Sequence, residues 1–520
     1  MAIHNALASQ AHLRNLSRLL VPAVCLCALL IGSPGLAASD PRGVEHESGN
    51  VPVPQGGITE VHGLVRTGVV NGDYEGLPPQ SATFGPEFGF SVATEDDWLV
   101  VGAPGTVTDS ENYGVGEHGA VFVFRREPGG WILRQRLLRD IGFGGPRCGH
   151  SVALSLPHLA VGCPERAQTA DGPPGGGVSM WRLDATGEQF EYNILIESTT
   201  SALALRCGAA LALTRNYLAT GCPAWQNDQG RVGVRKRNAN TDSYAQTTNE
   251  LFVSGPELGT RGTGMAVAMY EPRLSDDPPL VVRLAVGAPD TVYAGSASPR
   301  GTVHIYHREF LSAQWNPNTI LRLSNLGAAG NTFASFGAAL AMSRDQLVVG
   351  APNNRYGVIQ TLPGPGTVHR YELAAGSVWQ AQETGGPGNV PNGMQAGMRF
   401  GEATAIGNDN FIAIGAPQTD SIFSSGQPAS GVGLVELRRT ANGDWSVFNY
   451  YGELRPAPLA PTVRSNGRFG TSIAFETTKP RLMIGYPRSG STLVIPGQPS
   501  RPRGSVWIHE PDRLFDDGFE

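Results

Sequence analysis

The stretch FGFSVATEDDWLVVGAP, residues 88–104, decides the fold because its pattern recurs along the chain. The pattern is a segment of small residues, a turn, and an apolar run that ends at or near Gly-Ala-Pro. Six later copies start roughly 56 to 73 residues apart: CGHSVALSLPHLAVGCP (148–164), CGAALALTRNYLATGCP (207–223), TGMAVAMY with LAVGAP after an insert (263–289), FGAALAMSRDQLVVGAP (336–352), FGEATAIGNDNFIAIGAP (400–417) and FGTSIAFETTKPRLMIGYP (469–487). Such a period is typical of repeat architectures.

Each copy is predicted to form four short β-strands. A third apolar segment follows most copies, as in GAVFVF (119–124) and GTVHIYH (301–307), and a fourth often begins at an aromatic residue, as in GGWILRQRLL (129–138). The segments favour β-branched and aromatic residues and end at Gly, Pro, Asn or Asp, as strands do. Four-stranded sheets repeated around an axis make a β-propeller. The sequence therefore predicts an all-β fold, a seven-bladed β-propeller of four-stranded blades.

The two ends of the chain are predicted to meet in the last blade. The seventh copy stops soon after its third segment, GSVWIHE (504–510), and has no fourth. A spare strand-like stretch, GITEVHGLVRTGVV (57–70), precedes the first copy. We expect this N-terminal strand to close the last blade, since closure removes a free sheet edge. The alternative is that residues 57–70 form a loose leader.

The repeated elements resemble a known family. FG, then SVA, then LVVGAP, then GAVFVF is similar to the FG-GAP repeat of integrin-alpha-type β-propellers, most of all the bacterial secreted variety, over about residues 80–510. The resemblance implies the propeller fold and little about activity, because propellers host unrelated functions. It assigns structural roles to the motif residues Phe88, Gly89, Gly102, Pro104, Phe336, Gly337, Gly350, Pro352, Phe400, Gly401, Gly415, Pro417, Phe469 and Gly470.

Four cysteines replace motif residues in two copies. Cys148 and Cys207 stand where the other copies mostly have the Phe of FG, and Cys163 and Cys222 stand where most have the Ala of GAP. Both changes occur together, which a pairwise contact explains. If the hairpins centre on residues 155–156 and 214–215, the cysteines of each copy face each other at a distance that a disulfide accepts. We predict the disulfides Cys148–Cys163 and Cys207–Cys222.

These disulfides have two alternatives. Bridges between neighbouring copies, Cys148–Cys207 and Cys163–Cys222, form a rival connectivity. A zinc site or redox catalysis is disfavoured, because the sequence has no CxxC spacing at these positions.

No metal or cofactor is expected. The FG-GAP family often binds calcium in a D-x-D-x-D-G loop, but the corresponding hairpins here read TEDDW (94–98), SRDQ (343–346) and GNDNF (407–411). Asp96, Asp97 and Asp409 are interpreted as turn residues. A calcium ion held by another loop stays open as an alternative; its acidic residues are Asp109, Glu111 and Glu117.

The N-terminus has the pattern of an export signal. Arg14 and Arg18 precede the apolar run LLVPAVCLCALLIG (19–32), and small residues place a cleavage site near Ala37 or Ala38. A membrane anchor is the alternative, but the run is shorter than the ~20 apolar residues that span a bilayer. No later segment is apolar enough to span. Export fits an oxidising compartment and paired cysteines.

These readings divide the chain into four parts. We expect a signal peptide at 1–38, a leader or linker at 39–56, the propeller at 57–510 and a short acidic-aromatic tail at 511–520. The formal charge of −6 is small for 520 residues, and no Lys/Arg run points to nucleic acid. The mature protein is expected to be secreted, periplasmic or on the cell surface, without a transmembrane span.

No catalytic constellation is recognised. The sequence has neither G-x-S-x-G nor H-E-x-x-H. His150, His158, His304 and His369 are interpreted as packed or solvated residues. The paired acids at 276–277 and 516–517 are adjacent in sequence, but glycosidase catalysis requires two carboxyl groups that converge in space. Three tryptophans are interpreted as residues that pack one blade on the next. The alternative is that they form a sugar-stacking surface. They are Trp131, Trp379 and Trp445.

The loops between second and third strands vary while the scaffold repeats, which is the usual arrangement for binding. We therefore expect an exported, monomeric, non-catalytic binding or adhesion module for an extracellular protein or glycan. The alternative is an extracellular enzyme that acts on polysaccharide or another polymer from one propeller face. A purely structural envelope component is a third interpretation.

Overall fold

The computed structural model describes the ring of repeats. The described residues are 64–80, 85–110, 114–138, 145–167, 169, 172–197, 204–244, 251–254, 261–273, 275–276, 280–292, 299–309, 314–322, 334–356, 359, 363–374, 378–388, 394–407, 411–422, 428–441, 444–456, 466–476, 479, 481–489 and 504–511. All of them belong to one compact unit, Asn50–Glu520. The predicted signal peptide, the linker at 39–56 and nearly all of the tail lie outside the described residues.

The described chain forms seven four-stranded antiparallel sheets, which confirms the all-β seven-bladed propeller. In blades 1 to 6 the strands pair in chain order, strand 1 to strand 4. Blade 1 is Ser91–Glu95, Trp98–Ala103, Ala120–Glu127 and Gly130–Leu137; blade 2 is Ser151–Ser155, His158–Gly162, Gly177–Leu183 and Phe190–Glu197; blade 3 is Ala210–Leu213, Tyr217–Cys222, Arg231–Lys236 and Leu251–Ser254; blade 4 is Ala266–Tyr270, Val281–Ala288, Thr302–Glu309 and Asn316–Arg322.

The remaining blades follow the same order, except that the last takes its fourth strand from the start of the chain. Blade 5 is Ala339–Met342, Gln346–Ala351, Thr367–Ala374 and Val378–Gly385; blade 6 is Ala403–Gly407, Phe411–Ala416, Leu434–Ala441 and Asp444–Leu454; blade 7 is Ile473–Phe475, Leu482–Tyr486, Ser505–Pro511 and Leu64–Val70. Two small hairpins pair Thr108–Ser110 with Gly114–Gly116 and Ser421–Ile422 with Pro428–Ala429. A four-residue helical segment occupies Trp225–Asp228.

The first strands form the innermost ring. Strand 1 of every blade contacts strand 1 of both neighbouring blades, so the contacts run all the way round. Small residues at these positions, as in Ala210–Leu213, allow seven strands to converge. Strand 2 is buried along its length in several blades, for example Trp98–Ala103 and Gln346–Ala351. A fully buried side chain such as Leu99 or Val349 stabilises the fold by about 1.5–3 kcal/mol.

The motif glycines explain how neighbouring blades join. The N–H of Gly89 in FG donates a hydrogen bond to the carbonyl of Gly102 in GAP, at 3.1 Å. A Cβ on Gly102 would lie 2.0 Å from the carbonyl oxygen of Gly149, the FG glycine of the next blade. The same contact recurs in every blade, at 1.9 to 2.2 Å: Gly162 on Gly208, Gly221 on Gly264, Gly287 on Gly337, Gly350 on Gly401, Gly415 on Gly470 and Gly485 on Gly89.

The residue before each FG glycine also reaches the neighbouring blade. Phe88 pairs in parallel with Gly504, and Phe400 and Phe469 pair with Gly366 and Gly433 in the same way. The four FG phenylalanines are fully buried: Phe88, Phe336, Phe400 and Phe469. The motif prolines are buried as well: Pro104, Pro352 and Pro417. Because the glycines lie at close backbone contacts and the aromatic rings fill the core, the repeated sequence serves the joints between blades.

Both predicted disulfides are present and confirmed. Cys148–Cys163 and Cys207–Cys222 have Cα–Cα distances of 4.1 and 4.0 Å. The predicted hairpin centres are wrong by one residue, since Ser155 pairs with His158 and the turn lies at 156–157. The pairing succeeds nonetheless because Gly149 has a φ of 86°, which turns the chain just before the ladder and brings Cys148 beside Cys163.

The N-terminal strand closes blade 7, as expected. Leu64–Val70 runs antiparallel to Ser505–Pro511, with Val70 opposite Val506 and a bulge near Arg66. The guanidinium of Arg66 lies 4.3 Å from the ring centre of Trp507. Residues 57–63 of the predicted stretch lie outside the described residues. The fourth strand thus comes from the opposite end of the chain, and it tethers both ends to one sheet.

The substitution Gly102→Ala tests the joint between blades. Its methyl carbon would meet a backbone oxygen at 2.0 Å, so we expect the free energy of unfolding to fall by about 3 kcal/mol, measured by urea denaturation. Gly129→Ala is the control, because a Cβ there meets nothing within 4 Å. Equal stability of the two variants would contradict the proposed joint.

Removal of one disulfide tests its contribution. The double variant Cys148→Ala, Cys163→Ala opens a loop with a sequence separation of 15, and we expect a loss of about 3 kcal/mol in the free energy of unfolding. The pair Cys207–Cys222 closes a loop of the same length, so its removal is expected to cost the same. A double variant as stable as the parent in chemical denaturation would show that the bridge is dispensable.

Candidate functional site

Two sequence positions form the inner rim at one end of the ring. The FG end is the end where each FG dipeptide enters strand 1 and each GAP leaves strand 2. The pre-FG residues are Glu87, Arg147, Arg206, Gly262, Ser335, Arg399 and Arg468, and the post-GAP residues are Gly105, Glu165, Ala224, Asp290, Asn353, Gln418 and Arg488. We call these two sets the FG rim. They are neighbours, since Asn353 donates a side-chain hydrogen bond to Ser335 at 2.9 Å.

The pre-FG residues all have a left-handed backbone. Their φ values lie between 51° and 71°, and six of the seven are not glycine. This conformation costs a non-glycine residue about 1 kcal/mol or more. Four of the six are arginines. The tight turn before FG therefore directs charged side chains to the rim at positions where glycine would fit with less strain.

An arc of ion pairs joins blades 7, 1 and 2 along the rim, and blade 6 adds an ion pair of its own. Arg147 lies 2.6 Å from Glu87 and 3.3 Å from Glu117, and Arg488 lies 3.3 Å from Glu87 on its other side. Arg399 pairs with Glu402. A separate pair extends the charged surface to blade 3, with Arg206 3.3 Å from Glu165. Residues of five blades thus contribute to one polar surface.

His150 packs at the inner side of this arc. Its ring lies 4.9 Å from that of Phe90, and its side chain bonds to the backbone of Ala209. Desolvation, followed by the charge of Arg147, lowers the pKa of His150 to about 4. The imidazole is therefore neutral at pH 7, and the positive charge of the rim comes from arginines.

Where blades 3 and 4 meet, the FG end presents acidic side chains. Asp290 lies beside Gly262, and desolvation followed by the charge of Asp228 raises its pKa. Met265, three residues after the rim position, is 48% exposed. Asp228 belongs to the segment Trp225–Asp228, in which three consecutive residues have positive φ: Gln226, Asn227 and Asp228. The FG end is therefore asymmetric in charge as well as in loop length.

Trp225 anchors that segment. It packs against the disulfide Cys207–Cys222, and the guanidinium of Arg231 lies 3.5 Å from its ring centre. Arg231 also lies 4.8 Å from the ring centre of Phe252, which is 53% exposed. The disulfide of blade 3 thus supports a loop as well as a hairpin.

The acidic residues considered for calcium lie apart. Asp96 is a left-handed turn residue, and Asp97 pairs with Lys479 at 2.9 Å, which lowers its pKa. Asp109 lies in the small hairpin of blade 1, and Glu117 contacts Arg147. Asp409 and Glu111 lie outside the described residues. Among the residues that the structure describes, no three His, Cys, Asp or Glu side chains form a group that could hold a metal ion.

The remaining histidine candidates are packed in blades. His304 and His369 occupy equivalent places in strand 3 and each bonds the threonine two residues earlier, at 3.0 and 2.9 Å. His158 packs edge-on against Tyr244 near Asp242. Asp276, one of the paired acids, accepts a hydrogen bond from Tyr270 at 3.0 Å. The structure does not bring these groups together.

The tryptophan candidates that the structure describes also pack in the blades. Trp379 is buried in the core between blades 4 and 5. Trp131 is partly buried against the core shared by blades 1 and 7 and lies beneath Arg481. Both act in packing. The side chain of Trp445 lies outside the described part.

Comparison with known proteins bears on the family. Residues 78–124 match the family model of the FG-GAP repeat. The chain is a seven-bladed β-propeller that carries an FG-GAP repeat at these residues. The solved structure of U3-55K is similar over 86% of this chain and 98% of its own, at 12% identity and a TM-score of 0.44. The WD40 repeats of RRP9 are similar over 87% and 99%, at 12% identity and a TM-score of 0.45. Comparison with curated proteins gave no match.

Within the described ranges, no helix is long and apolar enough to cross a membrane.

The arginines of the FG rim were not predicted from the sequence. A signal for them exists, because Arg directly precedes the motif in RCG twice and in RFG twice, at residues 147, 206, 399 and 468.

Burial of His369 makes the free energy of unfolding depend on pH in the acidic range. Burial lowers its pKa to about 4, below the unfolded value near 6.5. The unfolded chain therefore binds the proton first, and stability falls as the pH drops from 6.5 towards 4, by about 3 kcal/mol. We expect His369→Gln to reduce the dependence of the urea midpoint on pH in this window, while His150 and His509, whose pKa values burial lowers to about 4 and about 3, maintain the rest of it. An unchanged pH slope would show that His369 is not the group responsible.

Proposed function

We propose that this FG-GAP propeller is an exported, non-catalytic binding or adhesion module whose ligand contacts the FG end. The observation that carries the proposal is the FG rim, where side chains from five blades form one charged surface. The strained backbone at the pre-FG positions supports it, because backbone strain concentrates at binding sites. The ligand is an extracellular protein or glycan, and the propeller acts as a monomer.

The loops at the same end support a binding role. The small hairpin Thr108–Gly116 of blade 1, the segment Trp225–Asp228 of blade 3 and the hairpin Ser421–Ala429 of blade 6 differ in length and composition while the sheets beneath them repeat. A rigid scaffold that presents unlike loops on one side favours recognition over a purely structural role.

Export is part of the same proposal. Two disulfides in one chain are typical of an oxidising compartment. The pattern at residues 1–38 supplies a signal peptide with cleavage near Ala37 or Ala38. Mass spectrometry of the protein isolated from its natural cell, with cleavage mapped at its N-terminus, tests this part separately from ligand binding.

The binding proposal is tested by substitution at the FG rim. We expect the purified full-length protein to bind a component of a glycan and extracellular-protein array, and the triple variant Arg147→Gln, Arg206→Gln, Arg399→Gln to bind it at least tenfold more weakly. The matched control carries the same change at the opposite end of the blades, at Arg125, Arg215 and Arg344. The control is expected to bind within twofold of the parent.

Three results would count against the proposal. Equal loss of binding in the rim variant and the control would remove the FG end as the site. Cleavage of an arrayed polymer by the parent protein would establish an enzyme instead. Binding of nothing on either array would favour a structural role.

A further inference from the structure

Arg468 differs from the other arginines of the FG rim in its surroundings. It is the pre-FG residue of blade 7, with a φ of 62°. Its N–H donates to the carbonyl of Gly431 at 3.0 Å, and its own carbonyl accepts a hydrogen bond from Thr471 Oγ1 at 2.8 Å. The backbone is therefore held on both sides, and the origin of the side chain is well defined.

The guanidinium of Arg468 differs from those beside it. Arg147, Arg399 and Arg488 each contact a carboxylate. Among the residues that the structure describes, none accepts a hydrogen bond from the side chain of Arg468. A guanidinium carries five N–H donors in a planar fork, and here they are left to solvent or to a bound molecule, although the side chain is only partly exposed.

The nearby carboxylates are already engaged. Glu402 and Glu87 are close enough to Arg468 to affect its charge, yet Glu402 bonds Arg399, and Glu87 bonds both Arg147 and Arg488. Desolvation lowers the pKa of Arg468, and the positive charges of Arg488 and Arg399 add to the effect. With Arg147 and its second partner Glu117 included, four described arginines face three carboxylates in this part of the rim, and one positive charge is uncompensated among them.

We propose that Arg468 binds the carboxylate of an acidic sugar, a uronic acid unit of a polysaccharide, at the rim between blades 6 and 1. The inference rests on the proposed binding function and names its ligand class. The planar fork matches a carboxylate with two parallel hydrogen bonds. A single uncompensated positive charge matches a group that carries a single negative charge.

The neighbouring carboxylate of Glu402 selects the sugar over other anions. Its side chain is 28% exposed, so its oxygen atoms can accept hydrogen bonds from hydroxyl groups, and a uronic acid presents hydroxyls next to its own carboxylate. An acidic peptide has no hydroxyl group beside its side-chain carboxylate, so it offers Glu402 no such hydrogen bond. A phosphate group carries nearly two negative charges, and the nearby glutamates repel the second.

The left-handed backbone provides a variant that separates binding from folding. At a φ of 62° glycine is favoured over arginine. We therefore expect Arg468→Gly to unfold at the same temperature as the parent or a higher one while it loses the ligand. Arg468→Lys retains the charge without the planar fork and is expected to bind with intermediate strength.

The experiment is calorimetric titration of the full-length protein with a short oligogalacturonate, its neutral methyl-esterified form and poly-glutamate. We expect oligogalacturonate to bind, the neutral form not to bind and poly-glutamate to bind at least tenfold more weakly. Arg468→Gly is expected to lower the affinity for oligogalacturonate at least tenfold, and Arg344→Gln, at the opposite end, to leave it within twofold. Added salt is expected to weaken binding.

Each contrary result has a distinct meaning. Binding of poly-glutamate as tightly as oligogalacturonate would replace the sugar with an acidic peptide and overturn the inference. Full affinity in Arg468→Gly would also overturn it. If oligogalacturonate does not bind while the array yields another ligand that depends on the rim, this inference fails and the proposed function stands. If neither binds, both fail.

Discussion

The propeller depends on one backbone contact that is made seven times. The GAP glycine of each blade lies against the carbonyl oxygen of the FG glycine in the next, and a Cβ would come within 1.9 to 2.2 Å of that oxygen. The FG glycine has a φ between 85° and 91° in all seven blades. Any side chain at the GAP position would push two blades apart. Because a ring transmits such a displacement to every joint, the motif constrains the whole fold.

Much of this architecture could be predicted because the constraint leaves a periodic trace in the sequence. FG and GAP recur since each blade needs the same joint, and the paired change at Cys148 and Cys163 reveals a contact within one blade. The exact register could not be predicted, because it depends on the position of the hairpin turn, which lies at 156–157 and not at 155–156. The third strand of blade 3, Arg231–Lys236, also lacked a recognisable motif.

The candidate site was harder to predict, because its residues lie at positions that differ between the repeats. Arginine before FG occurs in four copies, but its meaning depends on partners from other blades. Glu87 and Arg488 are 401 residues apart and still lie within 3.3 Å. The repeat brings the pre-FG and post-GAP positions together at every joint, and the chain then places different charges there. The same joint that builds the ring therefore also builds the surface.

The most direct test of the account is hydrogen exchange at the FG glycine amides. Each of these N–H groups donates to the GAP carbonyl of its own blade, at 2.9 to 3.1 Å, next to the contact with the neighbouring blade, and its exchange reports local opening at that place. The account predicts slow and similar exchange for Gly89, Gly337 and Gly470, since blades 1 and 7 are joined as firmly as the blades inside the chain. Fast exchange at Gly89 and Gly470, with slow exchange at Gly337, would show an open ring and contradict the central claim.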